Sequence, residues 1–124
     1  MKPKREHLTK TAMTILKLLE NTYLPLNAYQ ISKKAKIPVP SVYRNISVLE
    51  EENLVKSFEF RGFSYYYPAD RHVHYFVCNN CGAILPVMPC QIKEAEIEKS
   101  IGGKILDHTV IFQGICKDCL RKEV

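Results

Sequence analysis

Pro38-Val39-Pro40-Ser41-Val42-Tyr43-Arg44-Asn45-Ile46-Ser47-Val48-Leu49-Glu50-Glu51 is the stretch on which the fold turns. Proline suits the first position of a helix, where its missing N–H leaves no bond unmade, so the segment predicts a helix opening at Pro40. Val42, Ile46 and Leu49 define its inward face. At about 100° per residue Arg44 leaves almost opposite that face, with Tyr43 and Ser47 beside it. The outer face is polar and available to a ligand.

Upstream, Leu8, Ala12, Ile15, Leu16 and Leu19 stripe one face of a helix that runs to Asn21. Asn27 stands three before Gln30, a capping-box pair for a short second helix carrying Ala28, Ile31 and Ala35, which Ile37-Pro38 breaks. Downstream, Phe58-Glu59-Phe60 and the run from Phe63 to Tyr67 are β-prone, and Gly62 between them supplies the positive φ of a tight hairpin. Two closely spaced helices, a third with a polar outer face and then a hairpin give the order of a winged helix-turn-helix.

Charge supports a nucleic-acid partner for this half. Residues 1–62 hold 11 basic and 6 acidic side chains whereas residues 63–124 hold 7 of each, so the whole formal excess of +5 lies in the first part. With 46% apolar and 25% charged residues the composition is that of a globular chain, and disorder is excluded. No stretch approaches the ~20 apolar residues of a membrane helix and no apolar run follows Met1-Lys2-Pro3-Lys4-Arg5-Glu6, so a cytoplasmic protein without a membrane partner is expected.

Composition shifts at Pro68-Ala69-Asp70. Beyond it the pattern reads as a strand (Val73 to Cys78), a knuckle, a strand (Ala83 to Val87), a helix (Cys90 to Ile101) stopped by Gly102-Gly103, and a strand (Ile105 to Phe112). The reading is an α+β chain: a winged helix-turn-helix DNA-binding domain over residues 1–68, then a small α/β domain over residues 69–124.

Cys78-Asn79-Asn80-Cys81 and Cys116-Lys117-Asp118-Cys119 are two C-x-x-C pairs separated by 34 residues. Two intervening residues let both thiolates of a pair converge on one ion, and two pairs complete a closed tetrahedral zinc site that keeps no position for a reacting water. A structural zinc follows, tying the C-terminal end back to the strand at Cys78. A thioredoxin-like redox motif is disfavoured because neither pair is expected to open a helix after a buried strand in a βαβ unit. Enzyme readings fail as well. The zinc deaminases need H-x-E and a proline before C-x-x-C, where this chain has His72-Val73-His74 and Val77, and H-E-x-x-H, G-x-S-x-G and G-x-x-x-x-G-K-[ST] are absent. No catalytic residue and no small-molecule substrate are expected.

His72 and His74, two apart on an expected strand, leave the same face and can share an ion, although a solvated pair has the same spacing. His108, on the strand face with Leu106, Val110 and Phe112, reads as a hydrogen-bonded core histidine. Cys90, on the helix stripe continued by Ile97 and Ile101, reads as a small buried apolar residue.

Together, Leu8-Thr9, Ser41-Val42-Tyr43-Arg44, Val48-Leu49-Glu50-Glu51, His72-Val73-His74 and the paired cysteines make the chain resemble the ferric uptake regulator (Fur) family of metal-dependent repressors over nearly its whole length. The resemblance implies a homodimer joined through the zinc-stapled second domain and bound to a double-stranded operator. It implies that Tyr43 and Arg44 enter the major groove, with Ser41 and Asn45 beside them, and that Lys2, Lys4, Arg5 and Lys10 reach the phosphate backbone in place of a basic residue lost at Ala12. The family's inter-domain sensory site corresponds to Pro25, Tyr67, Tyr75 and Pro86, none of them the family's His or Glu, so that site is expected to be missing. Its other site corresponds to His72, His74, Lys93 and His108. Lys93 is excluded as a ligand, which makes Cys90 the expected fourth, with Glu94 as its substitute. Such a set suits zinc and also nickel, cobalt or iron(II), and it disfavours manganese and iron-based peroxide sensing. The expected function is metal-responsive repression of metal-homeostasis genes. The competing reading is a zinc-stabilised interaction or RNA-binding protein without operator specificity.

Overall fold

Thr9 opens the first helix by accepting the N–H of Ala12 on its side chain, and α1 (Lys10–Glu20) buries Ala12, Ile15, Leu16 and Leu19. The computed structural model describes residues 8–122, so Lys2, Lys4 and Arg5 lie outside the described residues. A short strand, β1 (Leu26–Asn27), leads into α2 (Ala28–Ala35). The capping box closes from both sides: Gln30 N–H donates to Asn27 Oδ1 and Asn27 N–H donates to Gln30 Oε1, each at 2.8 Å. The next helix, α3 (Val39–Glu51), begins one residue earlier than expected. Pro40 still falls among the first N–H positions, which have no partner within a helix, so its ring costs nothing there.

The strands β2 (Val55–Phe60) and β3 (Phe63–Pro68) form the hairpin, turning through Arg61 and Gly62 at φ of 53° and 82°. Two left-handed residues match the right-handed twist of the strands they join. The opposite edge of β3 pairs with β1, Leu26 against Tyr66, so the wing is a three-stranded antiparallel sheet of order β1-β3-β2. The three helices, Val55 and Tyr66 enclose one aliphatic core.

The chain divides into two compact units between Arg71 and His72 rather than at Pro68. In the second unit β4 (His74–Cys78) is central, antiparallel to β5 (Ile84–Val87) and parallel to β6 (Ile111–Gly114). Between them α4 (Glu94–Ile101) starts four residues after Cys90, with Glu94 and Glu96 in the first turn at the positive end of its dipole. The expected strand over residues 105–112 is confined to β6. Ahead of it the Ile105 N–H is taken by the Glu98 carboxylate at 2.6 Å, so a side chain replaces a strand partner. A last helix, α5 (Lys117–Lys122), was not expected from the sequence.

Candidate metal centres and reading face

Cys78 ends β4, and the chain turns back through Gly82, which has φ of 82°. The N–H groups of Cys81 and Cys116 donate to Cys78 Sγ at 3.4 and 3.3 Å. Cys78 and Cys119 bring their sulfurs to 3.8 Å, and Cys81 and Cys116 to 3.7 Å. For zinc–sulfur bonds of about 2.3 Å a regular tetrahedron has edges of about 3.8 Å. Both of those pairs match an edge of a zinc tetrahedron, and all four sulfurs lie within 4.8 Å of one another, so the cluster could hold a zinc ion.

The protonation states follow from the local donors. Backbone N–H groups of Cys81 and Cys116 lower the Cys78 thiol to about 6, against burial. A hydrogen bond from Asn80 favours the Cys119 thiolate, but burial and the neighbouring thiols outweigh it and push Cys119 up to about 11. The second C-x-x-C stands at the start of a helix, α5, but the strand before it, β6, buries none of its residues and no strand follows α5 among the described residues, so the helix has no βαβ setting. The thiols of both knuckles converge in a single four-sulfur cluster, which is a metal geometry and not that of a redox pair.

The second cluster gathers His72, His74, Cys90 and His108, whose ligand atoms lie within 4.8 Å of one another. His74 is buried on β4, while His72, just before that strand, is exposed. Cys90 Sγ lies 3.2 Å from both His74 Nε2 and His108 Nε2, and those two nitrogens are 3.2 Å apart. The His72 ring stands 5.4 Å from that of His74 and 4.9 Å from that of His108, centroid to centroid. Tetrahedral zinc with bonds of about 2.0–2.3 Å separates nitrogen from nitrogen by about 3.3 Å and nitrogen from sulfur by about 3.6 Å. His74, Cys90 and His108 fit a borderline divalent ion with a shift of a few tenths of an ångström at the sulfur, and His72 brings a fourth donor within 4.8 Å of them.

Two readings of single residues change. Cys90 is not a core position on a helix: it lies in the loop before α4, half-buried, with its sulfur among the histidines. His108 stands on irregular chain ahead of β6, not on a strand. Lys93 points to solvent and pairs with Glu96 at 3.8 Å.

Glu94 sits behind the cluster, its Oε2 bound to His108 Nδ1. That bond leaves Nε2 to face Cys90 and His74, as when a carboxylate orients a metal-binding histidine. Glu94 first and Cys90 second raise the His108 pKa above its ordinary value. The Ile92 N–H, followed by the histidines, lowers the Cys90 thiol to about 6. Among the described residues His74 Nδ1 has no hydrogen-bond partner, and Nε2 is its nitrogen in the cluster.

On the first unit, Tyr43 is 46% exposed and Arg44 is exposed beside it, opposite buried Val42, Ile46 and Leu49. Lys10 is exposed at the start of α1. Ser41 and Asn45 are half-buried, and the Asn45 amide is engaged on both sides. Its Nδ2 donates to the Ser41 carbonyl at 2.7 Å, and its Oδ1 accepts the Thr9 hydroxyl at 3.1 Å. Asn45 thus ties α3 to the cap of α1. The wing adds a cation that sequence reasoning passed over: Arg61, at the hairpin tip, lies over the Phe60 ring at 5.3 Å.

A reading head with an exposed Tyr-Arg pair and two separate sets of metal donors are the parts of a metal-responsive, DNA-binding regulator of transcription. Comparison with known proteins supplies the family. The Ferric uptake regulator family pattern matches residues 5–113, and the chain belongs to that family. It is 32% identical to the ferric uptake regulation protein of Campylobacter jejuni over 124 residues, covering 90% of this chain and 78% of that one. The Bacillus subtilis ferric uptake regulation protein is 33% identical over 122 residues, 89% of this chain and 82% of that one. The Helicobacter pylori ferric uptake regulator, whose structure is described as having three functional metal binding sites, superposes with a TM-score of 0.73 at 25% identity, covering 90% of this chain and 81% of that one. Among the described residues no helix is long and apolar enough to cross a membrane.

Proposed function

We propose that this chain is a homodimeric, cytoplasmic repressor of metal-homeostasis genes that binds its operator when a divalent ion fills the site of His72, His74, Cys90 and His108. The observation that carries this reading is the convergence of those four donors from three separate segments of the second unit, apart from the four cysteines. Zinc at Cys78, Cys81, Cys116 and Cys119 is structural, because four sulfurs leave no open coordination position. The sensory ion is zinc by preference, with nickel, cobalt and iron(II) as the other ions that suit three imidazoles and a thiolate. Glu94 orients His108 and is not a ligand.

Tyr43 and Arg44 read the major groove, Ser41 borders it, and Asn45 positions the helix. Lys10, with Lys2, Lys4 and Arg5, contacts phosphates. Dimerisation uses the second unit, where Ile97, Ile101, Leu85 and Phe112 are 43%, 65%, 44% and 48% exposed and supply apolar area for a second copy. No residue acts in catalysis.

The test is operator binding titrated with each divalent ion after metal analysis of the purified protein. The variant with His72, His74 and His108 all changed to Ala keeps its cysteine-bound zinc and its dimer, yet binds DNA weakly at every metal concentration. If that variant still tightens on DNA when zinc or nickel is added, the sensor lies elsewhere.

A further inference from the structure

We infer that Arg71 is the positioning residue through which the histidine–cysteine cluster acts on the DNA-reading unit; the inference rests on that cluster being the sensory site. Its guanidinium grips the C-terminal end of α1. Nη1 donates to the carbonyls of Thr22 and Tyr23 at 3.0 and 3.3 Å, and Nη2 donates to those of Leu19 and Glu20 at 3.1 and 3.2 Å. Carbonyls at a helix C-terminus lack most of their intrahelical partners and carry the negative end of the dipole, so a cation is favoured there. A planar guanidinium spreads over several such acceptors at once, which a lysine ammonium cannot do.

The next residue in the chain is His72. No spacer separates the clamp from the ligand. The approach to the clamp is fixed as well: the Ala69 N–H donates to the Leu54 carbonyl at 2.9 Å and the Arg71 N–H to the Pro68 carbonyl at 3.1 Å. At the far end of α1, Thr9 caps the helix and donates to Asn45, the residue after Arg44 in α3. The helix is thus held by Arg71 at one end and by the recognition helix at the other.

His72 is the exposed donor of its cluster, whereas His74 is buried and Cys90 and His108 are half-buried. Ligation therefore orders His72 more than the other three. Because Arg71 is its immediate neighbour, the ordering of His72 is passed to α1 and, through Thr9 and Asn45, to the helix that carries Tyr43 and Arg44. A residue that only capped α1 would contribute stability and leave the response to metal intact.

The two roles separate in a measurement of coupling. Operator affinity is read by anisotropy, on a duplex selected from a random pool by the zinc-loaded protein, at chelator-buffered low and saturating zinc. Three full-length proteins are compared: wild type, Arg71→Gln, and a chain with Gly-Ser inserted between Arg71 and His72. Couplings between sites are typically about 5–150-fold, and the wild type should tighten on DNA within that range. Both altered proteins should keep their cysteine-bound zinc and their affinity for the sensory ion, while the zinc-induced tightening collapses toward unity. By reciprocity, operator DNA should then no longer raise their affinity for zinc.

The insertion leaves the clamp and every ligand in place, so it decides the matter even if Arg71→Gln folds poorly. Wild-type tightening in the insertion variant overturns the role of Arg71 and leaves the sensory site standing. A wild type with no response to zinc overturns the sensory site, and this inference with it.

Discussion

The two units of this chain are built on different physics. In the first, Ile15, Leu16, Leu19, Ile31, Val42, Ile46 and Leu49 are each no more than 2% exposed and pack as one aliphatic cluster. Burying such a side chain is worth about 1.5–3 kcal/mol, so a three-helix unit with a wing can stand on the exclusion of water. In the second, three of the buried residues are Cys78, Cys116 and Cys119, clustered with Phe76, Ala83 and Ile115, and α4 buries none of its own residues. Thiols that would close on an ion replace the hydrocarbon, as small domains commonly require. One unit is organised to hold a surface rigidly, and the other to depend on what it binds.

The largest effect that could break this contrast is removal of zinc. Structural zinc contributes about 10–16 kcal/mol to the folding of zinc-finger peptides, so Cys116→Ser or strong chelation should unfold the second unit and abolish the dimer. The helical signal of the first unit should survive, and calorimetry should retain its transition. Loss of both units in one step would show that they are not independent. The converse substitution, Ile31→Ala, should cost the first unit about 2–5 kcal/mol while the cysteine-bound zinc stays stoichiometric.

Smaller effects sharpen the contrast on the DNA side. Arg44→Ala should lose about 1–3 kcal/mol of discrimination at one or two operator positions, read by competition among single-base operator variants. An unchanged preference among those variants would mean that α3 is not the reading helix. Lys10→Ala should weaken binding to all sequences alike and reduce the slope of log affinity against log salt by about 1. If its effect depended on operator sequence, Lys10 would be a base reader and not a phosphate contact.

How far the sequence could be read differs between the same two units. In the first, the inward stripes of α1 and α3, the Asn27–Gln30 box and the turn at Arg61-Gly62 are all legible, because each is written in residues a turn or less apart. What escaped is non-local: β1 joining the wing through Leu26 and Tyr66, and Asn45 spending its amide on Thr9. In the second, the C-x-x-C spacings and His72-Val73-His74 announce metal chemistry, yet the element boundaries drift. The helix expected from Cys90 starts at Glu94, and a strand gives way to irregular chain around His108, because donors held by side chains there replace a backbone ladder.

Spacing and charge alone were enough to establish a winged reading head with Arg44 outward, a basic first half and two cysteine pairs able to share an ion. Those are short-range properties, set by the period of a helix, the stereochemistry of a turn and the reach of a side chain. Only the tertiary structure decided that Cys90 joins His74 and His108 while Glu94 stands behind His108, and that Arg71 spans back to α1 one residue ahead of His72. Those partners lie 14 to 52 residues apart. No local periodicity records a distance that only the packed chain closes.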